Sequence, residues 1–267
     1  PLKNAGIYIL FNVSYNNHKL QLALNDPSEW QAFLEKTFKP YIGKVDCYEI
    51  LNEPNIWSYN KPNPDPKKYS QMSVDNYIKT LKAAYTTLKK LDPEAKIGGP
   101  TTCHTDVVFT QNVLAKGGGK YLEIITEHPY RQLPEMPDYD NDLASLNQVI
   151  KLQTGKKLPV FASECGERCP AMLNDNIIND DMRDCVSKVM RNMIISYGCG
   201  NEKFFTFTAN LWPEGSSWNT FLTGNPGNDY HARPNPTMYA MRAFADVIGD
   251  GKALGRIKIG FDYRCYV

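Results

Sequence analysis

The chain has 267 residues, 42% of them hydrophobic and 22% charged, and carries a formal net charge of +1. That balance gives no basic field for nucleic acid and no acidic tail. No apolar run approaches the roughly 18 residues of a membrane helix, and the length suits one large domain or two small ones.

The sequence opens on Pro1-Leu2-Lys3, without a methionine, and enters an apolar run at once. The expectation is a chain whose native start is missing. Seven cysteines are scattered along it. Their odd number and core-like positions favour reduced thiols over a disulfide framework. Cys165 and Cys169 have a spacing seen in metal sites, but no second pair completes four ligands, so no metal and no cofactor are expected.

Short apolar runs alternate with segments of helical period. The first run is Gly6 to Val13. Asp26-Pro27-Ser28-Glu29 then reads as a helix start, with Asp26 as cap, Pro27 in the first position and Glu29 able to bond back. Trp30, Phe33, Leu34 and Tyr41 fall on one face of that helix. The second run is Val45 to Leu51, and its helix begins near Ser73 and stops at Asp92-Pro93. The third run, Ala95 to Pro100, leads to a helix ending in the glycines 117 to 119. The fourth, Tyr121 to Thr126, leads to a helix carrying Leu143, Leu146, Val149 and Ile150, closed by Gly155. The fifth is Pro159 to Ser163, followed by a helix from about Met182 to Tyr197. The sixth is Lys203 to Ala209, and a helix over Met238 to Ile248 ends at Gly249. From Ile257 to Val267 apolar residues alternate with polar or small ones, the pattern of one half-exposed strand.

Six β-then-α units in succession build a parallel sheet covered by helices. A doubly wound nucleotide fold would bring a glycine-rich phosphate loop, and no such motif is present. That absence weakens the doubly wound reading, which stays as the weaker alternative to the (β/α)8 barrel, whose reactive groups gather where strands end. Asn52-Glu53-Pro54-Asn55, Pro100-Thr101-Thr102, Glu127-His128-Pro129-Tyr130, Ser163-Glu164-Cys165-Gly166-Glu167 and Asn210-Leu211-Trp212 follow the runs. Two carboxylates with a histidine, a tyrosine, an asparagine and a tryptophan are the groups that glycoside hydrolysis needs: an acid for the leaving oxygen, a second carboxylate, and an aromatic platform.

The segments EILNEPN, IGGPT, EHPY and ASECGE, in this order, resemble strands four to seven of the retaining glycoside hydrolases of clan A, closest to the β-xylosidase/α-L-iduronidase family. The resemblance runs from about Gly6 to Ile248. It implies that Glu53 is the general acid/base and Glu164 the nucleophile of a double displacement. It also implies that Asn52 bonds the sugar 2-hydroxyl, Tyr130 donates to Glu164, His128 lines the same subsite and Trp212 forms the floor under the ring. Counted this way, the first run is strand three. Residues 1–250 are then a barrel whose first two units are missing, and 251–267 the stub of a C-terminal β-rich domain. The arginine that such enzymes often carry near the end of strand two has no counterpart. The implied partner is a carbohydrate, with no nucleic acid and no membrane. A catalytically inactive carbohydrate-binding barrel would use the same rim without turnover.

Other residues have plainer readings. Glu49 shares the strand parity of Glu53 and reads as a structural buried carboxylate. Trp30 is helix-face core. Trp57, Trp218 and His104 are divided between sugar contact and loop packing. Asn12-Val13-Ser14 matches a glycosylation acceptor, but a sugar there would block the rim.

Overall fold

The computed structural model describes residues 2–14, 26–56, 72–136, 138–167, 180–207, 222–223, 233–234, 236–259 and 264–267. Six strands, β1 (Leu10–Val13), β2 (Cys47–Ile50), β3 (Lys96–Cys103), β4 (Ile124–His128), β5 (Val160–Cys165) and β6 (Lys203–Thr206), follow one another in sheet order as in chain order. Between and after them come α1 (Pro27–Phe38), α2 (Val74–Leu91), α3 (Val107–Ala115), α4 (Tyr139–Thr154), α5 (Asp180–Gly198) and α6 (Pro236–Ile248). The chain forms two compact units, Pro1–His128 with Ala144–Phe161, and Pro129–Leu143 with Ala162–Val267.

In the first unit β1 to β4 pair in parallel, and Asn12, Glu49 and Gly98 stand at one level of the register. All four residues of β2 are buried. So are most residues of β3 and all of β4, as expected for a parallel sheet covered by helices. Both of these strands run past their apolar sequence runs, to Cys103 and to His128, because backbone pairing holds them beyond the last apolar residue. The register shifts between Pro100 and Thr102, and the Gly99–Pro100 peptide is cis.

The helices form where caps and faces agree. Asp26 caps α1 as expected, accepting from the backbone N–H of Ser28 at 2.8 Å and from its hydroxyl at 2.7 Å. Ser73 caps α2 by accepting from Asn76 N–H. On α1 the buried face is Trp30, Leu34 and Phe38. Phe33 and Tyr41, expected on that face, are exposed. Phe33 stacks flat on Trp30, and Tyr41 lies beyond the helix in a short turn beside Phe38. Trp30 also donates its indole N–H to the carbonyl of Thr80, tying α1 to α2. A fully buried Leu or Phe contributes roughly 1.5–3 kcal/mol, so this stripe anchors α1.

The second unit holds the end of β5, β6, α5 and α6, with two short antiparallel pairs: β7 (Leu222–Thr223) with β8 (Arg233–Pro234), and β9 (Arg256–Lys258) with β10 (Arg264–Tyr266). The single alternating strand expected over 257–267 is therefore two antiparallel strands. The β9–β10 pair is packed into the unit. Tyr266 lies over Gly198 of α5, where an added Cβ would fall 2.2 Å from the ring. Arg256 pairs with the buried carboxylate of Asp140 at the start of α4. Met182, Cys185 and Val189 on α5 form a buried cluster with Val186 and Met241 against it, and Tyr197 stacks on Phe244 of α6.

Cys185 is disulfide-bonded, an exception to the reduced thiols that the sequence favoured over a disulfide framework. Cys47, Cys103, Cys165, Cys199 and Cys265 are free. Among the described residues, no helix is long and apolar enough to cross a membrane.

Candidate active site

The Asn-Glu-Pro segment does not end its strand in the manner its sequence suggests. β2 stops at Ile50, ahead of Pro54, because the backbone turns into the left-handed region at Leu51 (φ 65°) and again at Glu53 (φ 50°). Leu51 N–H still donates to Val13 O, and Glu53 N–H donates to Thr101 O at 2.9 Å. Thr101 (φ 53°) and His104 (φ 57°), at the end of β3, are left-handed as well. Four non-glycine residues in this region, one of them β-branched, mark a place where the surroundings over-determine the backbone.

This local geometry brings Glu53 to His128. His128 Nδ1 lies 3.0 Å from Glu53 Oε1, the imidazole 1% exposed and the carboxylate side chain 13% exposed. His128 is the last residue of β4, and its backbone carbonyl accepts from His104 N–H at 2.9 Å. Asn52 is half-buried beside Glu53. Below them Asn12 donates its amide to Glu49 Oε1 at 2.6 Å, and Glu49 is buried, as expected. Burial, and after it the charge of Glu49, pushes the Cys47 thiol well above its ordinary range. Burial and Asp92 push the Tyr48 phenol up to about 12.

In the second unit Tyr130 donates its hydroxyl to Glu164 Oε1 at 2.8 Å. The next residue along, Cys165, points its thiol at the carbonyl of Pro129 at 3.7 Å, so the end of β5 is tied twice to the segment after β4. Arg131 holds that segment from behind: its guanidinium donates to Asp142 at 2.7 Å and lies 4.7 Å over the Tyr139 ring. Gly166 completes the arrangement, with Phe207 N–H donating to Cys165 O and the Phe207 carbonyl 2.0 Å from where a Cβ on Gly166 would stand.

Of the residues singled out by sequence, Glu53 and His128 are thus brought together, and so are Tyr130 and Glu164. Trp212, Trp57 and Trp218 lie outside the described residues. Sequence reasoning passed over Asn55, Arg131 and Gly166. Asn55 and Gly166 stood inside the quoted motifs, and only partners distant in sequence show what they do.

No protein-family model and no curated protein matches the chain in sequence. Solved structures do match its fold. A monomeric β-xylosidase from Caulobacter crescentus CB15 aligns over 91% of this chain and 54% of its own, with a TM-score of 0.57 and 16% identity. The GH39 enzyme from Xanthomonas axonopodis pv. citri aligns over 88% of this chain and 49% of its own, at TM-score 0.53 and 16% identity. A hyperthermophilic β-glucosidase from Pyrococcus furiosus aligns over 92% and 67%, at TM-score 0.58 and 13% identity. The chain has a glycoside hydrolase fold. Within that fold it supplies six parallel strands of a TIM-type barrel and spans about half the length of the β-xylosidase. Glu53 follows β2, His128 ends β4 and Glu164 lies in the last residues of β5, all at the carboxyl ends of strands.

Proposed function

We propose that the protein hydrolyses O-glycosidic bonds with net retention, Glu53 acting as acid/base and Glu164 as nucleophile. The observation that carries this reading is the contrast between the partners of the two glutamates. Glu164 takes a hydrogen bond from a phenol, which favours the charged carboxylate a nucleophile must be. Glu53 meets an imidazole, a group able to share a proton with a carboxyl that must carry one and later take one back.

In the first step the Glu164 carboxylate attacks the anomeric carbon while the bond to the leaving oxygen breaks, and Glu53 gives its proton to that oxygen. In the second, Glu53 takes a proton from water as the water oxygen displaces Glu164, returning both residues to their starting states. Two inversions at one carbon give retention. Asn52 bonds the 2-hydroxyl, and Trp212 floors the sugar. β-Xylosides and β-glucosides are the first substrates to try, because the solved structures of like fold include a β-xylosidase and a β-glucosidase.

The test is a trap. Incubation with 2,4-dinitrophenyl 2-deoxy-2-fluoro-β-xyloside and -β-glucoside should leave one of these sugars as an ester on the peptide carrying Glu164, read by mass spectrometry. A crystal structure should place the Glu53 and Glu164 carboxyls about 5–5.5 Å apart. Tight binding of xylo- or gluco-oligosaccharides with neither adduct nor turnover would replace this reading with that of a carbohydrate-binding barrel.

A further inference from the structure

We infer that Asn55 is the positioning residue that sets the contact between Glu53 and His128. The inference rests on the proposed role of Glu53 only where catalysis is concerned; the contact itself is a matter of geometry.

Asn55 stands two residues after Glu53, and its side chain pairs with the backbone of Cys103 as a neighbouring strand would. Its Nδ2 donates to Cys103 O at 2.9 Å, and its Oδ1 accepts from Cys103 N–H at 2.8 Å. The second Nδ2 proton goes to Asp106 Oδ2 at 3.1 Å. One donor and two acceptors fix which end of the amide is nitrogen, so the side chain has a single orientation. Asp106 is itself held, because its other oxygen caps α3 by accepting from Phe109 N–H at 2.8 Å.

Cys103 lies between the two points at which the end of β3 holds Glu53 and His128. On one side Thr101 O receives the Glu53 N–H, and on the other His104 N–H donates to His128 O. His128 then meets the Glu53 carboxylate through Nδ1. Backbone of Glu53, end of β3, backbone of His128 and side chain of Glu53 therefore form a closed circuit, and Asn55 is the bolt across it. Leu51, Glu53, Thr101 and His104 all hold left-handed φ values around this circuit, so without a bolt the backbone has lower-energy conformations to fall into. The side-chain hydrogen bonds of Asn55 go to Cys103 and Asp106, so it acts on Glu53 and His128 through the end of β3.

The experiment labels the histidine ring nitrogens with 15N and follows the His128 signals in the wild type, Glu53→Gln, Asn55→Ala and Asp106→Asn. Glu53→Gln identifies the His128 Nδ1 signal as the one that moves. The inference requires Asn55→Ala to move the same signal toward its position in Glu53→Gln, with the thermal unfolding still cooperative. Asp106→Asn keeps the oxygen that caps α3 and loses only the acceptor for Asn55, so it should move the signal in the same direction by less. It covers the case in which Asn55→Ala fails to fold. A His128 Nδ1 signal left at its wild-type position in folded Asn55→Ala or Asp106→Asn would overturn the inference, whether or not the protein hydrolyses glycosides.

The kinetic arm separates this from the catalytic reading. For kcat/KM, aryl glycosides with poor leaving groups need the proton of Glu53 and those with dinitrophenolate do not. Asn55→Ala should cost about 10- to 100-fold on 4-methylphenyl β-xyloside and β-glucoside and about 2-fold or less on the 2,4-dinitrophenyl compounds. Equal losses on both classes would mean a merely structural role and overturn the inference. Loss of that same selectivity in Glu53→Gln would instead sink the acid/base assignment.

Discussion

The Tyr130 hydroxyl donates to Glu164 Oε1 at 2.8 Å, at the end of β5. A hydrogen bond to a charged group is worth roughly 1.5–3 kcal/mol, so Tyr130→Phe should lower kcat/KM about 10- to 100-fold. Arg131 holds the segment from behind with its own contacts, so folding should survive the loss of the hydroxyl. A melting temperature within a few degrees of wild type alongside full activity would show that Tyr130 does not act on Glu164.

Gly166 should tolerate no side chain. A Cβ there would stand 2.0 Å from the Phe207 carbonyl oxygen, a backbone atom that cannot swing aside. Gly166→Ala should therefore break the Phe207 N–H to Cys165 O bond and destabilise the protein by about 1–3 kcal/mol. Glu164 moves with its neighbour, so activity should fall further than stability alone explains. Denaturant unfolding read beside kcat/KM checks both parts.

The free thiols should fall into two classes. Cys47 is fully buried, and burial followed by the charge of Glu49 holds it well above the ordinary thiol range. The thiolate is the reactive species, so Cys47 should resist iodoacetamide at pH 8 in the native protein and react only on unfolding. Cys103, Cys199 and Cys265 are partly exposed and should react first. Peptide mapping after timed alkylation reads the order directly.

Most of the strand and helix order was legible because it depends on period and caps. Asp26, Ser73, Gly155 and Gly249 lie where the local sequence alone demands a cap or a left-handed turn. Glu53, Glu164, His128 and Tyr130 were legible as strand-end residues for the same reason. What the sequence hid is non-local. β3 and β4 extend past their apolar runs because each holds the other's backbone, which no window of one strand reveals. Phe33 is apolar and helix-phased yet exposed, since the packing stripe of α1 runs through Trp30, Leu34 and Phe38 instead. Cys185 looked like one more core thiol, because a disulfide depends on a partner in space and not on spacing. The last stretch alternated so regularly that two strands passed for one.

Asp26 gives a pH test. Its carboxyl is held below the ordinary value of 3.8, first by the Ser28 hydroxyl and then by the Ser28 backbone N–H. A folded value below the unfolded one means that the cap stabilises the protein above about pH 3.8, and that the contribution is lost as pH falls through the folded value. The melting temperature of Asp26→Ala should therefore lie below wild type at neutral pH, and the gap should close below pH 3.8. A gap that stays constant down to pH 2 would mean that the carboxylate charge plays no part in the cap.

The left-handed residues at the ends of β2 and β3 bear on how such sequences drift. Leu51, Thr101 and His104 hold a backbone conformation that glycine or asparagine adopts at less cost, while Glu53 is tied to its side chain by the proposed chemistry. Sequences descended from a common ancestor with this one should accumulate glycine and asparagine at the first three positions and never at the fourth. A chain carrying glycine at the place of Glu53 would have exchanged reactivity for an easier backbone, and that single letter would distinguish a working lineage from a retired one.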